Sequence, residues 1–247
     1  MSANRPRKVG IALPCQDQVD SWFMHDLFRA GAYHAFAFPQ DELILSMHQS
    51  AFLAESRNEL CKGLIEQGAD YVIFLDTDMR FPQNVFDQLM QHDLPVVAAN
   101  CAKRRRPISA TARKEDPTNP AKLDMVWPDK EKQGIEKIAV VGTAVMCIKS
   151  EVFFELEYPW FHTPWHPEDQ RFVGEDLYFC AQLKKAGVGL YIDHGLSWHI
   201  GHIGQYTYRM DDVLAEREMA RIGMWDHLKP PQAETTNGRE PLIVAAR

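Results

Sequence analysis

Five consecutive apolar residues, Tyr71 to Leu75 (YVIFL), run directly into the carboxylates of Asp76-Thr77-Asp78. An unbroken apolar run of that length, lacking the polar alternation of a half-exposed strand, suits a central strand covered on both faces. Charged residues placed at its end then lie where ligands bind in an open α/β sheet, beyond the carboxyl ends of the strands. The surrounding sequence supports that frame. Lys8–Leu13, a stretch near Leu43–Ser46 and Pro95–Ala99 are further strand-like runs, separated by amphipathic stretches such as Asp20–Ala35. This alternation predicts an α/β fold with a mostly parallel central sheet flanked by helices. Ser50 as N-cap and Gly68 as a left-handed closing residue bound a helix of about five turns. Pro82 is expected to open the next helix, a position where its missing N–H costs nothing.

Beyond Lys103 the pattern breaks. Residues 103–134 are charged and contain four prolines, so a long excursion with short strands at most is expected. Lys137–Ile148 returns as one strand, bent at Gly142-Thr143 where backbone approaches something closely. Ser150 caps a short helix over Glu151–Glu157. Gly174–Ala186 forms another helix, closed by Gly187, and Gly189–Asp193 is the last strand. Residues 1–228 are expected to form a single domain and 229–247 a loose tail.

Composition excludes several classes. With 45% hydrophobic and 25% charged residues over 247 positions the chain can bury a substantial core, so disorder is not its main state. No apolar run approaches the roughly 18 to 20 residues of a membrane span, and no signal-peptide pattern follows the N-terminus. Five scattered cysteines without a CxxC pair argue against a disulfide framework and against a cysteine zinc site, and fit a cytoplasmic protein. With 27 basic against 34 acidic residues, nonspecific nucleic-acid binding is not expected.

Four groups of residues carry chemistry. In extended backbone, Asp76 and Asp78 would point the same way and share a divalent cation or a cation-bound diphosphate; a solvated, helix-capping turn is the plainer role. Glu175-Asp176 opens a helix, either as a favourable charge at its N-terminus or as a general base. His194, His199 and His202 follow the last strand, and His202, between Gly201 and Gly204, is the best placed to complete a metal site. In the Glu55-Ser56-Arg57-Asn58 helix, Arg57 suits a bidentate pairing with a phosphate or with an aspartate of the DTD turn. Lys103-Arg104-Arg105-Arg106 follows a buried strand, which gives these cations, Lys103 first, a route to a bound phosphate.

In this order, the DTD turn, the ESRNEL helix, VVGTAVMCIKSEVF, the GEDLYFCAQLKKAG helix and HIGHIG resemble the GT-A-fold nucleotide-sugar glycosyltransferases. They look most like the compact family-2-like enzymes of bacteria and phages, over about Lys8 to Tyr208. The resemblance implies a Rossmann-like GT-A fold and a hexosyltransferase-type enzyme that moves a sugar from a nucleoside-diphosphate sugar to an acceptor hydroxyl, inversion being the first expectation and retention the alternative. It implies Mn²⁺ or Mg²⁺ at Asp76 and Asp78, with His202 as the C-terminal metal histidine and His199 as its alternative. Pro14, Cys15 and Gln16 then meet the nucleotide base. Arg57 and Thr77 lie at the diphosphate or the DTD loop, and Gly142-Thr143 lies beside the donor sugar and acceptor. Asp176, or in second place Glu175, becomes the catalytic base. The acceptor is left open among a glycan, a lipid-linked glycan, a protein and a modified nucleobase. The aromatic loop with Trp160, Trp165 and His166 suits a lid that stacks on sugar rings. A non-catalytic nucleotide-sugar or carbohydrate-binding module, a sugar-nucleotide nucleotidyltransferase and a zinc hydrolase are the competing readings. The nucleotidyltransferase is disfavoured because residues 14–31 lack a glycine-rich, basic phosphate loop.

Overall fold

A computed structural model describes residues 6–105, 107–204 and 207–223; the expected tail, 229–247, lies outside the described residues. The strands are β1 (Lys8–Cys15), β2 (Glu42–Gln49), β3 (Tyr71–Leu75), β4 (Met79–Arg80), β5 (Val96–Ala99), β6 (Arg113–Asp116) and β7 (Asn119–Met125), then β8 (Ile135–Lys137), β9 (Val145–Lys149), β10 (Trp165–His166), β11 (Arg171–Phe172), β12 (Leu190–Asp193), β13 (Gly201–Ile203) and β14 (Thr207–Tyr208). The helices are α1 (Ser21–Ala37), α2 (Leu53–Glu66), α3 (Val85–Met90), α4 (Glu175–Ala186), α5 (His194–Ser197) and α6 (Met210–Arg221), with a 3₁₀ turn at Ser150–Phe154.

Seven strands form the central sheet in the order β2-β1-β3-β9-β5-β12-β8. The α/β class holds, but the sheet is mixed where a mostly parallel one was expected. β1 pairs in parallel with β2 and β3, and β5 with β12. β9 is antiparallel to both β3 and β5, and β8 to β12. The cause is the excursion after β5. It stays at the edge where β5 ends, held there by Thr111 N–H to Cys101 O at 3.0 Å and Lys103 N–H to Ser109 O at 2.9 Å. The chain then adds β8 at the far edge, antiparallel to β12, and enters the middle of the sheet at Val145, opposite Leu75, running back the other way. An apolar run buried on both faces looks the same in either direction, so its sequence does not show this.

Two cores sandwich the sheet. On one face α2 and α4 bury Leu60, Leu64, Phe179 and Leu183 against Phe74, Met146 and Ile192. On the other α1 and α3 bury Phe23, Leu27, Phe86 and Leu89 against Ile11, Ile73 and Val97. Gly10 lets α2 approach β1: a Cβ there would sit 2.9 Å from the Leu64 methyls. Gly68 and Gly187 adopt the left-handed conformation, φ +79° and +75°, that ends α2 and α4.

Several boundaries differ from expectation. α2 starts at Leu53 and not at a Ser50 cap; Ser50 Oγ instead accepts the Phe52 N–H and donates to Glu55. Pro82 lies ahead of α3, which spans only Val85–Met90. The strand expected over Lys137–Ile148 is two, β8 and β9, with Gly142 and Thr143 in the loop between them. The excursion contains a β6–β7 hairpin. Against it packs α6, which the sequence reading missed, through Met210 and Val213 onto Ala102, Ile108 and Ala110. Among the described residues no helix is long and apolar enough to cross a membrane. Cys15, Cys61, Cys101, Cys147 and Cys180 are all buried and free.

Candidate active site at the carboxyl edge of the sheet

The carboxyl ends of β1, β3, β5 and β12 and the start of β9 converge on one edge of the sheet. β3 delivers Asp76 there, and its N–H donates to Ala144 O at 2.9 Å. Residues 76–79 then close a turn, with Met79 N–H donating to Asp76 O at 3.1 Å. The extended i, i+2 arrangement expected for Asp76 and Asp78 is therefore replaced by a turn, and the two carboxylates separate.

Asp76 faces inward to α2. Arg57 Nη2 donates to its Oδ1 at 3.0 Å and its Oδ2 at 3.3 Å. The same guanidinium donates through Nε to Glu175 Oε1 at 3.4 Å and lies over the Phe74 ring at 5.0 Å. Arg57 is 1% exposed, and its Nη1 is buried with no hydrogen-bond partner. Burial raises the Glu175 carboxyl above its ordinary range, Asp176 and Asp76 add to the rise, and Arg57 opposes it. The neighbouring Asn58 pins the aromatic loop from the same helix: Nδ2 donates to Phe161 O at 2.7 Å, and Phe161 N–H returns to Oδ1 at 3.1 Å.

Asp78 faces the C-terminal segment. A small sheet, β14-β13-β4, aligns His202 with Met79, and Ile203 N–H donates to Asp78 O at 2.7 Å. His202 Nδ1 lies 2.8 Å from Ala102 O. A carbonyl only accepts, so Nδ1 carries a proton; Nε2 then donates to Asp78 in the imidazolium and turns a lone pair toward it in the neutral ring. Nε2 stands 3.5 Å from Asp78 Oδ2, and Arg104 Nη2 is 2.8 Å from the same oxygen. Burial works against ionisation of Asp78, but the His202 hydrogen bond and the charges of His202 and Arg104 prevail and lower its pKa. His199, the alternative metal histidine, is exposed and turned elsewhere; His194 is buried on Glu136 at 2.9 Å. Among the described residues no group of three or more His, Cys, Asp or Glu side chains gathers around one point.

Asp176 opens α4 beside the β9 entry loop. Its Oδ1 accepts the Leu177 N–H at 2.7 Å and lies 2.7 Å from where a Cβ on Gly174 would be. A Cβ on Gly142 would stand 3.8 Å from Asp176 Oδ2 and 3.5 Å from the Thr111 methyl. Thr143, 2% exposed, has a buried hydroxyl without a partner. Lys103 is held in the same neighbourhood: burial, with the charges of Arg113 and Arg105, lowers its ammonium pKa while Asp176 opposes the drop. Arg113 was not anticipated from the sequence. It sits in β6 of the unassigned excursion and reaches the site only through pairing, Arg113 N–H to Val140 O at 2.7 Å.

The remaining expected residues frame the edge. Pro14 and Cys15 end β1, Cys15 buried with its thiol pKa raised by burial and by Asp17, and Gln16 is exposed just beyond. Thr77 O accepts the Asp20 N–H at 3.3 Å, tying the DTD turn to the start of α1. Of the aromatic loop, Trp160 is packed on Phe153 at 4.9 Å and donates Nε1–H to its carbonyl, so it is not free to stack on a ligand. Trp165 and Phe172 are exposed on the β10–β11 hairpin that leads into α4, with rings 5.2 Å apart. A separate open cleft of about 670 Å³, lined by Asn84, Gln88, His92, Gln133, Trp198 and His199 among others, contains none of the other expected site residues.

Residues 46–119 match the Anp1 family, a span that includes Arg57, the DTD turn and Lys103. No curated protein sequence matches the chain. Among solved structures, A197 from STIV shares the fold at a TM-score of 0.54 and 15% identity, over 83% of this chain and 91% of that one. 4-Diphosphocytidyl-2C-methyl-D-erythritol synthase overlaps at a TM-score of 0.29 and 11% identity, over 59% and 76% of the two chains, too little to carry an argument.

Proposed function

We propose that this chain is a metal-dependent glycosyltransferase that moves a sugar from a nucleoside-diphosphate sugar to an acceptor hydroxyl with inversion. The partial match to Anp1, a mannosyltransferase-like family, supports the transferase class. The observation that carries the finer reading is the His202 tautomer. Its Nδ1–H is used on Ala102 O, so in the neutral ring an unprotonated Nε2 faces Asp78 Oδ2 at 3.5 Å. In that state the pair is two acceptors face to face, with Arg104 at 2.8 Å from the same carboxylate oxygen, and one nitrogen with one carboxylate oxygen suits Mn²⁺ or Mg²⁺ in place of the imidazolium proton. When bound, such an ion neutralises the charge gathering on the departing diphosphate. With only two protein ligands, the donor's own phosphate oxygens and water would fill the rest of its shell.

The other roles belong to the chain's side chains. Arg57 fixes Asp76 and Glu175 and leaves Nη1 free for a donor oxygen. Thr143 Oγ1 offers a second buried, unpartnered hydrogen-bonding group at the β9 entry. The bond from the sugar carbon to the diphosphate oxygen breaks with its electron pair staying on that oxygen. The acceptor oxygen forms the new bond to the opposite face of that carbon, and its proton passes to the Asp176 carboxylate. Pro14, Cys15 and Gln16, at the end of β1 on the same edge, are placed to meet the base.

Thermal shift of the purified chain with UDP-, GDP-, CDP- and TDP-sugars, each with Mn²⁺, Mg²⁺ or EDTA, tests this reading. The expected result is a stabilisation by one nucleotide family that EDTA abolishes and Asp78→Asn removes. A shift indifferent to metal and to Asp78, or no shift with any donor, would overturn it. Donor binding without turnover, unchanged by Asp176→Asn, would make the chain a binding module.

A further inference from the structure

The basic cluster after β5 divides between two places. Arg104 turns to Asp78 and donates to Ile203 O. Lys103, Arg105 and Arg113 do not: among the described residues none of the three is paired with a carboxylate. They are nevertheless brought together. The ladder from Cys101 to Thr111 places Lys103 beside the start of β6, where Arg113 Nη1 is held by Ala110 O at 3.2 Å and Ala112 O at 3.3 Å. Thr111, two residues before Arg113, packs at the Gly142 position whose other neighbour is Asp176 Oδ2. Lys103 and Arg113 are only half-buried, and Arg105 is exposed, so a ligand can reach them.

Three unpaired cations this close repel one another, and burial and that repulsion lower the pKa values of Lys103 and Arg113. A fold tolerates such a cluster when an anion completes it. In the proposed reading the donor diphosphate is held elsewhere, through the ion at Asp78 and His202. Of the three, Lys103 lies close enough to Asp176 to feel its charge, and Arg105 and Arg113 lie close enough to Lys103 to act on it; Asp176 is the residue proposed to receive the acceptor's proton.

We propose that Lys103, Arg105 and Arg113 form an anion subsite on the acceptor side of Asp176, and that the acceptor carries a phosphate or diphosphate group near its reacting hydroxyl. This rests on reading Asp176 as the base. The subsite binds its phosphate without a divalent metal, which separates it from the donor site.

Calorimetric titration of the full chain with inorganic pyrophosphate and with orthophosphate, in EDTA at moderate salt, is the test. Binding is expected, with Lys103→Gln and Arg105→Gln each weakening it about tenfold, as for loss of one charge-assisted contact. Asp78→Asn should leave it within about twofold. Arg113→Gln belongs in the set, but Arg113 also ties down its own hairpin, so Arg105→Gln, at an exposed position, decides if that variant misfolds. Tighter binding of pyrophosphate points to a diphosphate-linked acceptor, and equal binding of both to a phosphomonoester. No binding at millimolar concentrations, binding unchanged in both Lys103→Gln and Arg105→Gln, or binding lost with Asp78→Asn would overturn the subsite. Manganese-dependent binding of UDP or GDP, measured on the same variants, reports the transferase reading separately. It should be lost in Asp78→Asn and retained in Arg105→Gln.

Discussion

Asp76 and Asp78 leave the same turn, show similar exposure at 27% and 33%, and enter opposite settings. Asp76 is held by an arginine that is 1% exposed, which also holds Glu175 and lies on an aromatic ring. Asp78 faces an arginine that is 44% exposed and the Nε2 of His202 at 3.5 Å. The first setting is complete as it stands, apart from one guanidinium nitrogen. The second is built from Arg104 and His202, both of which solvent reaches. A carboxylate whose partner is buried on the scaffold holds the scaffold together; one whose partners are loosely held is the one proposed to take a ligand.

The strongest way to break this comparison is to neutralise each side. Asp78→Asn is expected to lower turnover roughly a thousandfold while costing no more than about 1 kcal/mol of urea stability at neutral pH. Comparable loss of stability and turnover would show that Asp78 is structural. Arg57→Met leaves Asp76 and Glu175 facing each other without their cation, and should cost about 3 kcal/mol in urea unfolding. A stable Arg57→Met protein would mean that the clamp contributes little to the fold.

A pH series in metal-free buffer sharpens the contrast, because the two sides carry opposite shifts. Asp78 has a lowered folded pKa, so it contributes stability above its unfolded value that is lost as pH falls through the folded one. Glu175 has a raised folded pKa, so its contribution is present at low pH and is lost as pH rises through the folded value. Relative to wild type, Asp78→Asn should therefore lose ground between pH 3 and 6, and Glu175→Gln should gain it. Parallel curves would remove the distinction. The smallest effect is expected at the rim. Trp165→Ala should raise the acceptor KM several-fold and leave stability within about 0.5 kcal/mol, since an exposed ring adds little to folding.

How far the site was legible follows the same division. The apolar run of β3 announced the DTD turn, and the Glu55-Ser56-Arg57-Asn58 run of α2 offered Arg57 as a partner for one of its aspartates, although the same run reads equally as an exposed helix face and Arg57 is in fact buried. Gly68 and Gly187 marked the ends of their helices, because local sequence determines both. The direction of β9 was hidden, since a doubly buried strand reads alike both ways and only the path of the excursion sets it. Arg113 was hidden because nothing in Arg113–Asp116 distinguishes a cation at the site from one in solvent until β6 is paired. α6 escaped because it buries little: Met210 and Val213 are the hydrophobic contacts it contributes to the small third core.

The pairing of β13 with β4 has a temporal side. His202 meets Asp78 through a backbone ladder between segments far apart in the chain, and not through neighbouring side chains. Asp78, Asp76 and Arg57 are in place once β3 and α2 have formed, but the imidazole arrives only with the last strands. A nascent or truncated chain ending after β12 would hold every strand of the central sheet and yet lack the nitrogen ligand proposed for the ion. Acquisition of metal-dependent donor binding would then report the docking of β13, and a metal bound at that point would fasten the segment after β12 to the turn after β3.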